Sequence, residues 1–511
     1  MSDYGILSLL PPILAIALAL KTKQTLLSLF FGVWLGSTII NGYNPLVGFA
    51  KVVSDYMIPA IGNSYNAGML ILVTLAGGFV YMLRVTGAAE AFAKVVTKKI
   101  NNAKKAQIAT WASAFLFSYT EPCLILGTIM RPITDRVRVS RAKLSYILDS
   151  MGCNLASFSP ISSYGPFITG LIATQLAAAN ITANEWGLYF QMFPFNLYGI
   201  FAMLTVLIVA VAGLDIGPMH REEKRARETG KLLADGVEPL VPETQNKFPE
   251  GYRFTIKNFV IPMVSLFAGI FVTIFWSGDI ATNGLRGAFI SGNITLAISI
   301  GFLTGGIAAA IVGITTGLFK FTEAFNSFVK GMEDLIMVPF ILVLAWSMGG
   351  ITGAMGVGQF LSSVVQDYLT GGLVPALIFL FGALIAFATG SSWGVWSIMM
   401  PIAIPMAINF DIPIPYIVGA VISGGLFGDQ CSPISDTTIM SSTGASCNHI
   451  VHVSTQLPYG VIVGMAAFLG FLFGGLTGQH YLSLAVTAIV LVVLLIALNK
   501  YSSKKEYKAE I

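Results

Sequence analysis

Apolar runs of roughly 17 to 25 residues recur along this chain, each long enough to cross the hydrocarbon layer of a bilayer as a helix. With 55% hydrophobic and 11% charged residues among 511, and a mean hydropathy of +0.77, the chain carries more apolar surface than a soluble core absorbs. The runs are continuous rather than alternating, so the expected fold class is an all-α polytopic membrane protein and not a β-barrel. The net charge of +4 comes from Lys and Arg in loops beside the runs, and gives no nucleic-acid signal. The lipid bilayer is the expected surrounding, in the cell (inner) membrane. The first residues, Met1 to Gly5, lack the basic region of a signal peptide, so the first helix is expected to stay. Cys123, Cys153, Cys431 and Cys447 lie in or beside apolar segments without metal-ligand spacing and read as packing residues.

A duplication lies over this pattern. Ser-Pro-Ile-Ser occurs at 159–162 and again at 432–435. Each copy trails a second shared string, Ile129-Met130-Arg131-Pro132 or Ile398-Met399-Met400-Pro401, and each of those follows a polar interruption of an apolar run. The interruptions are Ser118-Tyr119-Thr120-Glu121-Pro122 and Thr389-Gly390-Ser391-Ser392. Polar breaks at corresponding places in two halves point to a transporter binding site.

The expected domains are a first repeat over 1–213, a cytoplasmic linker over 214–257, a second repeat over 258–480, and a final span with a cytoplasmic tail over 481–511. About eleven spans are expected, near 5–20, 24–41, 67–86, 144–177, 188–213, 258–277, 290–316, 334–352, 414–440, 456–476 and 481–499. Lys21 and Lys23 place the first turn in the cytoplasm and the N-terminus outside. The stretch 106–130 has basic clusters at both ends and is too short for two crossings, so it is expected to enter and return as a re-entrant hairpin. Between Gly331 and Asn499 there is no Lys or Arg, which places the matching loops of the second half outside. The repeats are then inverted, with a second hairpin over about 376–400, and Lys500, Lys504, Lys505 and Lys508 keep the C-terminus cytoplasmic. The basic linker, with Arg221, Lys224, Arg225, Arg227 and Lys231, reads as a solvated tether.

The hairpin tips and the two interrupted spans, 154–165 and 429–442, should meet near the bilayer midplane. Broken helices leave N–H groups that attract anions and carbonyls that coordinate cations such as Na⁺. The expected cation ligands are Asp436, Ser435, Thr437, Asp429, Asn154, Ser157 and Glu121, with Na⁺ centred on Asp436 because that carboxylate lies within the second break. Asp436 also fits the N-cap of the helix that follows, a role compatible with cation binding. Ser391, Ser392, Thr389, Ser162, Ser163, Thr120 and Thr438 are the expected solute contacts, with Ser159 nearby. Asp149 reads either as a buried functional carboxylate or as a partner of Arg141 or Lys143. His449 and His452 share a helical face but lack further metal-ligand spacing, so they read as loop or interface histidines ahead of a proton relay. Gly424-Gly425 reads as a close packing site. Gly390-Ser391-Ser392-Trp393-Gly394 matches the short G-x-S-x-G pattern of serine hydrolases, but the strand–turn–helix setting of a nucleophile elbow is not expected here.

The segment 427–460, FGDQCSPISDTTIMSSTGASCNHIVHVSTQLPYG, strongly resembles the signature of the NhaC-type sodium/proton antiporter family, and 9–20, 130–150 and 390–403 resemble it as well. The resemblance spans nearly all of both halves. It implies a secondary transporter of the ion-transporter superfamily, with relatives that form homodimers of scaffold and mobile transport domains. Where many members carry two adjacent aspartates, this chain has Ser118-Tyr119; where they carry Asp-His-Ile-Asp-His, it has Asn448-His449-Ile450-Val451-His452. Four acidic positions are thereby neutral, while Asp436 is kept. Since the family also includes carriers of amino acids and organic acids, the leading expectation is Na⁺-coupled transport of a small organic solute, with Na⁺ the coupling ion, H⁺ a possible second one, and no cofactor. The alternative is a Na⁺/H⁺ antiporter, and a remote one is an intramembrane serine hydrolase.

Overall fold

The computed structural model describes residues 4–22, 24–88, 91, 100–117, 122–239, 248, 252, 254–356, 360, 371–433 and 435–509. Among them every regular element is helical. Among the described residues six helices are long and apolar enough to cross a bilayer, or up to eight if two bent pairs each count as one span. The bent pairs are Leu26–Ile40 with Pro45–Gly62, at 118°, and Glu185–Phe195 with Leu197–Ala212, at 49°.

The helices that frame the site in the first half are α1 (Leu10–Thr22), α2 (Thr25–Ile40), α3 (Ser64–Val85), α4 (Ala103–Leu116), α5 (Pro122–Arg136), α6 (Arg141–Ala156), α7 (Tyr164–Ala178) and α8 (Leu197–Ala212). In the second half they are α9 (Lys257–Ser277), α10 (Ile294–Thr315), α11 (Phe321–Asp334), α12 (Met337–Ala354), α13 (Val374–Thr389), α14 (Ser392–Asn409), α15 (Ile414–Cys431), α16 (Asp436–Gly444), α17 (His449–Thr477) and α18 (Leu482–Ala509).

The spans expected at 144–177 and 414–440 are each two helices, because Pro160 and Pro433 remove backbone donors where the chain turns. Side chains take over the orphaned helix ends. Ser435 caps α16 by accepting from the Thr438 amide at 3.4 Å, and Ser391 caps α14 by accepting from the Gly394 amide at 3.3 Å. Asp436 is thus the first helical residue, and Ser435 fills the cap position considered for it. The second hairpin turns through Gly390 at φ +67°, a left-handed conformation that a Cβ would strain.

The halves interlock reciprocally. The second arm of the first hairpin, α5, packs on the post-break helix α16 of the second half, and the second arm of the second hairpin, α14, packs on the post-break helix α7 of the first half. Small residues permit this approach. A Cβ on Gly127 would lie 2.6 Å from the Gly444 backbone at the α5–α16 contact, and within the second half one on Gly424 would lie 2.5 Å from the Phe379 carbonyl oxygen, where α15 packs on α13. All four cysteines are buried and outside any disulfide.

Several helices were not expected from the sequence, Ile280–Ser291 among them. Pro45–Gly62 folds beside α2, and α11 carries apolar residues on one face only, so neither shows a continuous apolar run. The expectation of a solvated tether over 214–257 is corrected in its first part. A helix at Pro218–Thr229 buries Met219, Glu223 and Ala226, spaced one turn apart, beside the start of α6. Lys143 pairs with Asp215 at 2.6 Å, both almost wholly buried, Arg227 completes the charge on Asp215, and Glu223 accepts from the Ser140 amide at 2.7 Å. Burial holds the Glu223 carboxyl above the usual range. Arg227 of the linker region therefore has a fixed partner in the buried Asp215, although its own side chain is 53% exposed.

Candidate functional site

At the second break, three elements meet around Asp429. Its carboxylate accepts from the Ser392 amide at 3.0 Å, from the Ser435 hydroxyl, and from Thr437 Oγ1 at 3.5 Å. The hairpin tip and the broken span, far apart in sequence, are thus joined through one buried carboxylate that is 1% exposed. Such burial is costly in a low-dielectric interior unless donors replace the lost water.

A second buried carboxylate, Asp149 on α6, reaches the same place from the first half. Asp149 Oδ2 accepts from Thr438 Oγ1 at 3.0 Å and from Gln456 Nε2 at 2.6 Å, and His452 Nε2 lies 3.8 Å away. Asp149 Oδ1 is buried with no hydrogen-bond partner among the described residues. The reading of Asp149 as partner of Arg141 or Lys143 is corrected, since Lys143 is held by Asp215 and Arg141 by Asp135. His452 is corrected too: it is fully buried, with Nδ1 2.9 Å from Ser442 Oγ and Nε2 3.1 Å from Gln456 Oε1. His449 shares Ser442, at 3.0 Å, and sits 2.6 Å from the Pro433 carbonyl oxygen.

The remaining expected residues divide. Asn154 donates to Gln430 Oε1 at 2.9 Å, and Gln430 also receives Tyr198 OH at 3.0 Å, so Asn154 fixes the residue after Asp429. Ser157 donates to the Asn154 carbonyl at 2.6 Å and accepts from Asn196 at 2.8 Å, which leaves it occupied in the turn. Ser162 is equally occupied: it donates to the Ala156 and Ser159 carbonyls at 2.7 and 2.9 Å and accepts from the Tyr164 amide. Its hydrogen bonds are spent within its own turn. Thr389 donates to the Ile385 carbonyl at 2.8 Å, as a hydroxyl at a helix end does. Thr120 and Glu121 lie outside the described residues.

Ser163, Ser391 and Asp436 open together into a cavity of about 460 Å³. Its wall also includes Arg84, Asp334 and Trp393. Asp436 faces this space while its neighbours Ser435 and Thr437 hold Asp429, so the cavity and the buried carboxylate share a wall. Arg84 was not anticipated, because it reads as one more positive-inside residue at the end of an apolar span. Gln456 had a legible signal, since it stands four residues from His452 on one helical face.

Residues 155–476 match the model of the Na⁺/H⁺ antiporter family. The chain belongs to the Na⁺/H⁺ antiporter family. Its members are transporters and not enzymes. This antiporter-family chain is 33% identical to an uncharacterized protein of Haemophilus influenzae over 96% of the chain and 95% of that protein. It is 28% identical to a malate-2H⁺/Na⁺-lactate antiporter of Bacillus subtilis over 36% of the chain and 40% of that protein. It is 26% identical to an arginine/ornithine antiporter of Halobacterium salinarum over 34% of the chain and 40% of that protein. In fold it resembles the YdaH transporter of Alcanivorax borkumensis, with a TM-score of 0.53 at 13% identity, over 83% of this chain and 87% of that one. This family member is therefore a multi-pass secondary transporter, with Na⁺ implied as coupling ion.

Proposed function

We propose that the protein couples Na⁺ to the transport of a small organic solute, an amino acid or carboxylate, by alternating access. The observation that carries this reading is the cavity of about 460 Å³ with Arg84 in its wall. Its volume falls in the range of small-molecule sites, and a bare cation needs no such space. The guanidinium there can pair with a carboxylate through charge-assisted hydrogen bonds, while Asp436 and Asp334 on the same wall favour a cation. Ser163 and Ser391, at helix N-termini, add partial positive charge on the same wall.

In this reading Na⁺ is held by Asp436 and Asp429 with Ser435 and Thr437, while Asn154 and Ser157 act by fixing the turn. Solute contacts are Ser163 and Ser391, with Ser392 and Thr438 behind them. The relatives named for malate and lactate and for arginine and ornithine support an organic solute. The reciprocal packing of α5 on α16 and of α14 on α7 supports inverted repeats. We extend the reading to eleven spans, an exterior N-terminus, a cytoplasmic C-terminus, and a homodimer in the cell membrane.

Na⁺/H⁺ exchange is the second reading. It is favoured by the buried pair of Asp149 and His452, which offers a protonatable group beside the Na⁺ site. Proteoliposomes separate the two. An inward Na⁺ gradient should drive uptake of amino acids or carboxylates, and Arg84→Gln should raise KM for carboxylates about tenfold, as loss of a hydrogen bond to a charged group implies, while the matching amides are unaffected. A Na⁺-driven pH change without any solute would return the protein to ion exchange.

A further inference from the structure

A second cavity, of about 470 Å³, lies further along the same two helices that line the candidate site. Helix α7 gives Ser163 to the first cavity and Thr174 to the second; α12 gives Val338 and Ile341 to the first and Trp346 and Ser347 to the second. Asp55, Asn63 and Glu185 make the second mouth polar.

Between the cavities stand aromatic layers. Ser163, Phe167, Gly170 and Thr174 follow one another at spacings of four, three and four, which is one face of a helix. Along that face, Phe167 meets the Trp393 ring edge-on at 4.5 Å between centroids, and one turn later the Gly170 carbonyl accepts from Trp346 Nε1 at 3.2 Å. Trp393 itself lines the first cavity and Trp346 the second. From Ser163 to Thr174 the face spans ~16 Å at 1.5 Å per residue, about half the hydrocarbon thickness.

We infer that this face of α7 is the permeation route, that the two cavities are its opposite mouths, and that the Phe167–Trp393 and Trp346 layers are the closed partition between them. The inference rests on the candidate site proposed above and adds its second entrance. The first mouth opens beside Arg84 at the end of α3 and Asp334 at the end of α11, ends that the proposed topology puts in the cytoplasm. The second opens toward the exterior loop that begins with Asn180 and ends at Glu185.

Single cysteines test this in membranes of both orientations, probed with a membrane-impermeant thiol reagent. The native cysteines are all buried and give little background. Ser391→Cys should react from the cytoplasmic side and Thr174→Cys from the exterior. Phe167→Ala in the Ser391→Cys background should make that cysteine reactive from both sides; if this variant does not fold, Trp393→Ala carries the same expectation. Reaction of both cysteines from one side overturns the route, and unchanged one-sided labelling in the folded partition variant overturns the partition. Labelling needs no solute, so failure of organic uptake leaves it standing, and same-side labelling leaves the uptake reading standing.

Discussion

The two helix breaks contain the same tetrapeptide and use it differently. At the first, Ser162 is absorbed by its own turn, bonded to Ala156, Ser159 and Tyr164. At the second, the matching Ser435 caps α16 and donates to Asp429, and Ser432 donates to the Phe387 carbonyl of the hairpin at 2.7 Å. Aligning the repeats on this motif sets Ala156 opposite Asp429 and Ser163 opposite Asp436. The first break is a neutral turn that shapes a wall, and the second is a charged junction that ties tip to span. A duplicated scaffold supplies the break twice, but the costly charge is placed in one copy, with Asp149 of the first half brought in from more than a turn upstream.

Asp429→Asn should break this asymmetry most severely. It removes the charge that Ser392, Ser435 and Thr437 converge on, and Na⁺-dependent transport should fall by tenfold to a hundredfold, on the scale of 1.5–3 kcal/mol per hydrogen bond to a charged group. Transport with an unchanged Na⁺ requirement would show that Asp429 is only structural. Adding charge to the neutral copy, with Ser163→Asp, should lower apparent affinity for carboxylates several-fold, because the new carboxylate faces the cavity that holds Arg84; an uptake competition series measures it, and equal affinity would place the solute elsewhere. The smallest effect on transport should come from the paired serines. Ser162→Ala should cost about 1 kcal/mol of stability, as loss of one buried hydrogen bond does, with Na⁺ dependence retained, whereas Ser435→Ala should shift the Na⁺ concentration for half-maximal transport. Thermal unfolding in detergent and a Na⁺ titration read the two, and identical behaviour would mean that the breaks are equivalent.

A separate contrast lies in the linker region and its contact with α6. Asp215→Ala should destabilise the protein by about 3–5 kcal/mol by stranding Lys143 in a buried position, while removal of the exposed Lys231–Asp235 pair should change stability by less than about 1 kcal/mol. Thermal unfolding that ranks these the other way would show that the linker helix is not anchored through Lys143.

Much of this molecule follows from sequence by simple constraints. Continuous apolar runs demand membrane helices because lipid offers no partner for the backbone, and prolines within Ser-Pro-Ile-Ser make a helix break wherever that string occurs. Asp429 and Asp436 stand out because a carboxylate inside an apolar segment is expensive. Only the tertiary structure decides which serine of each break serves the site, since both copies read alike and differ in whether a carboxylate lies within reach. It alone brings Arg84 to Ser163, Ser391 and Asp436, because positive charge at a helix end has the same local pattern whether it meets cytoplasm or a cavity. His452 and Gln456 gain their role in the same way: their partner Asp149 is some three hundred residues away, a separation across which no local periodicity carries information.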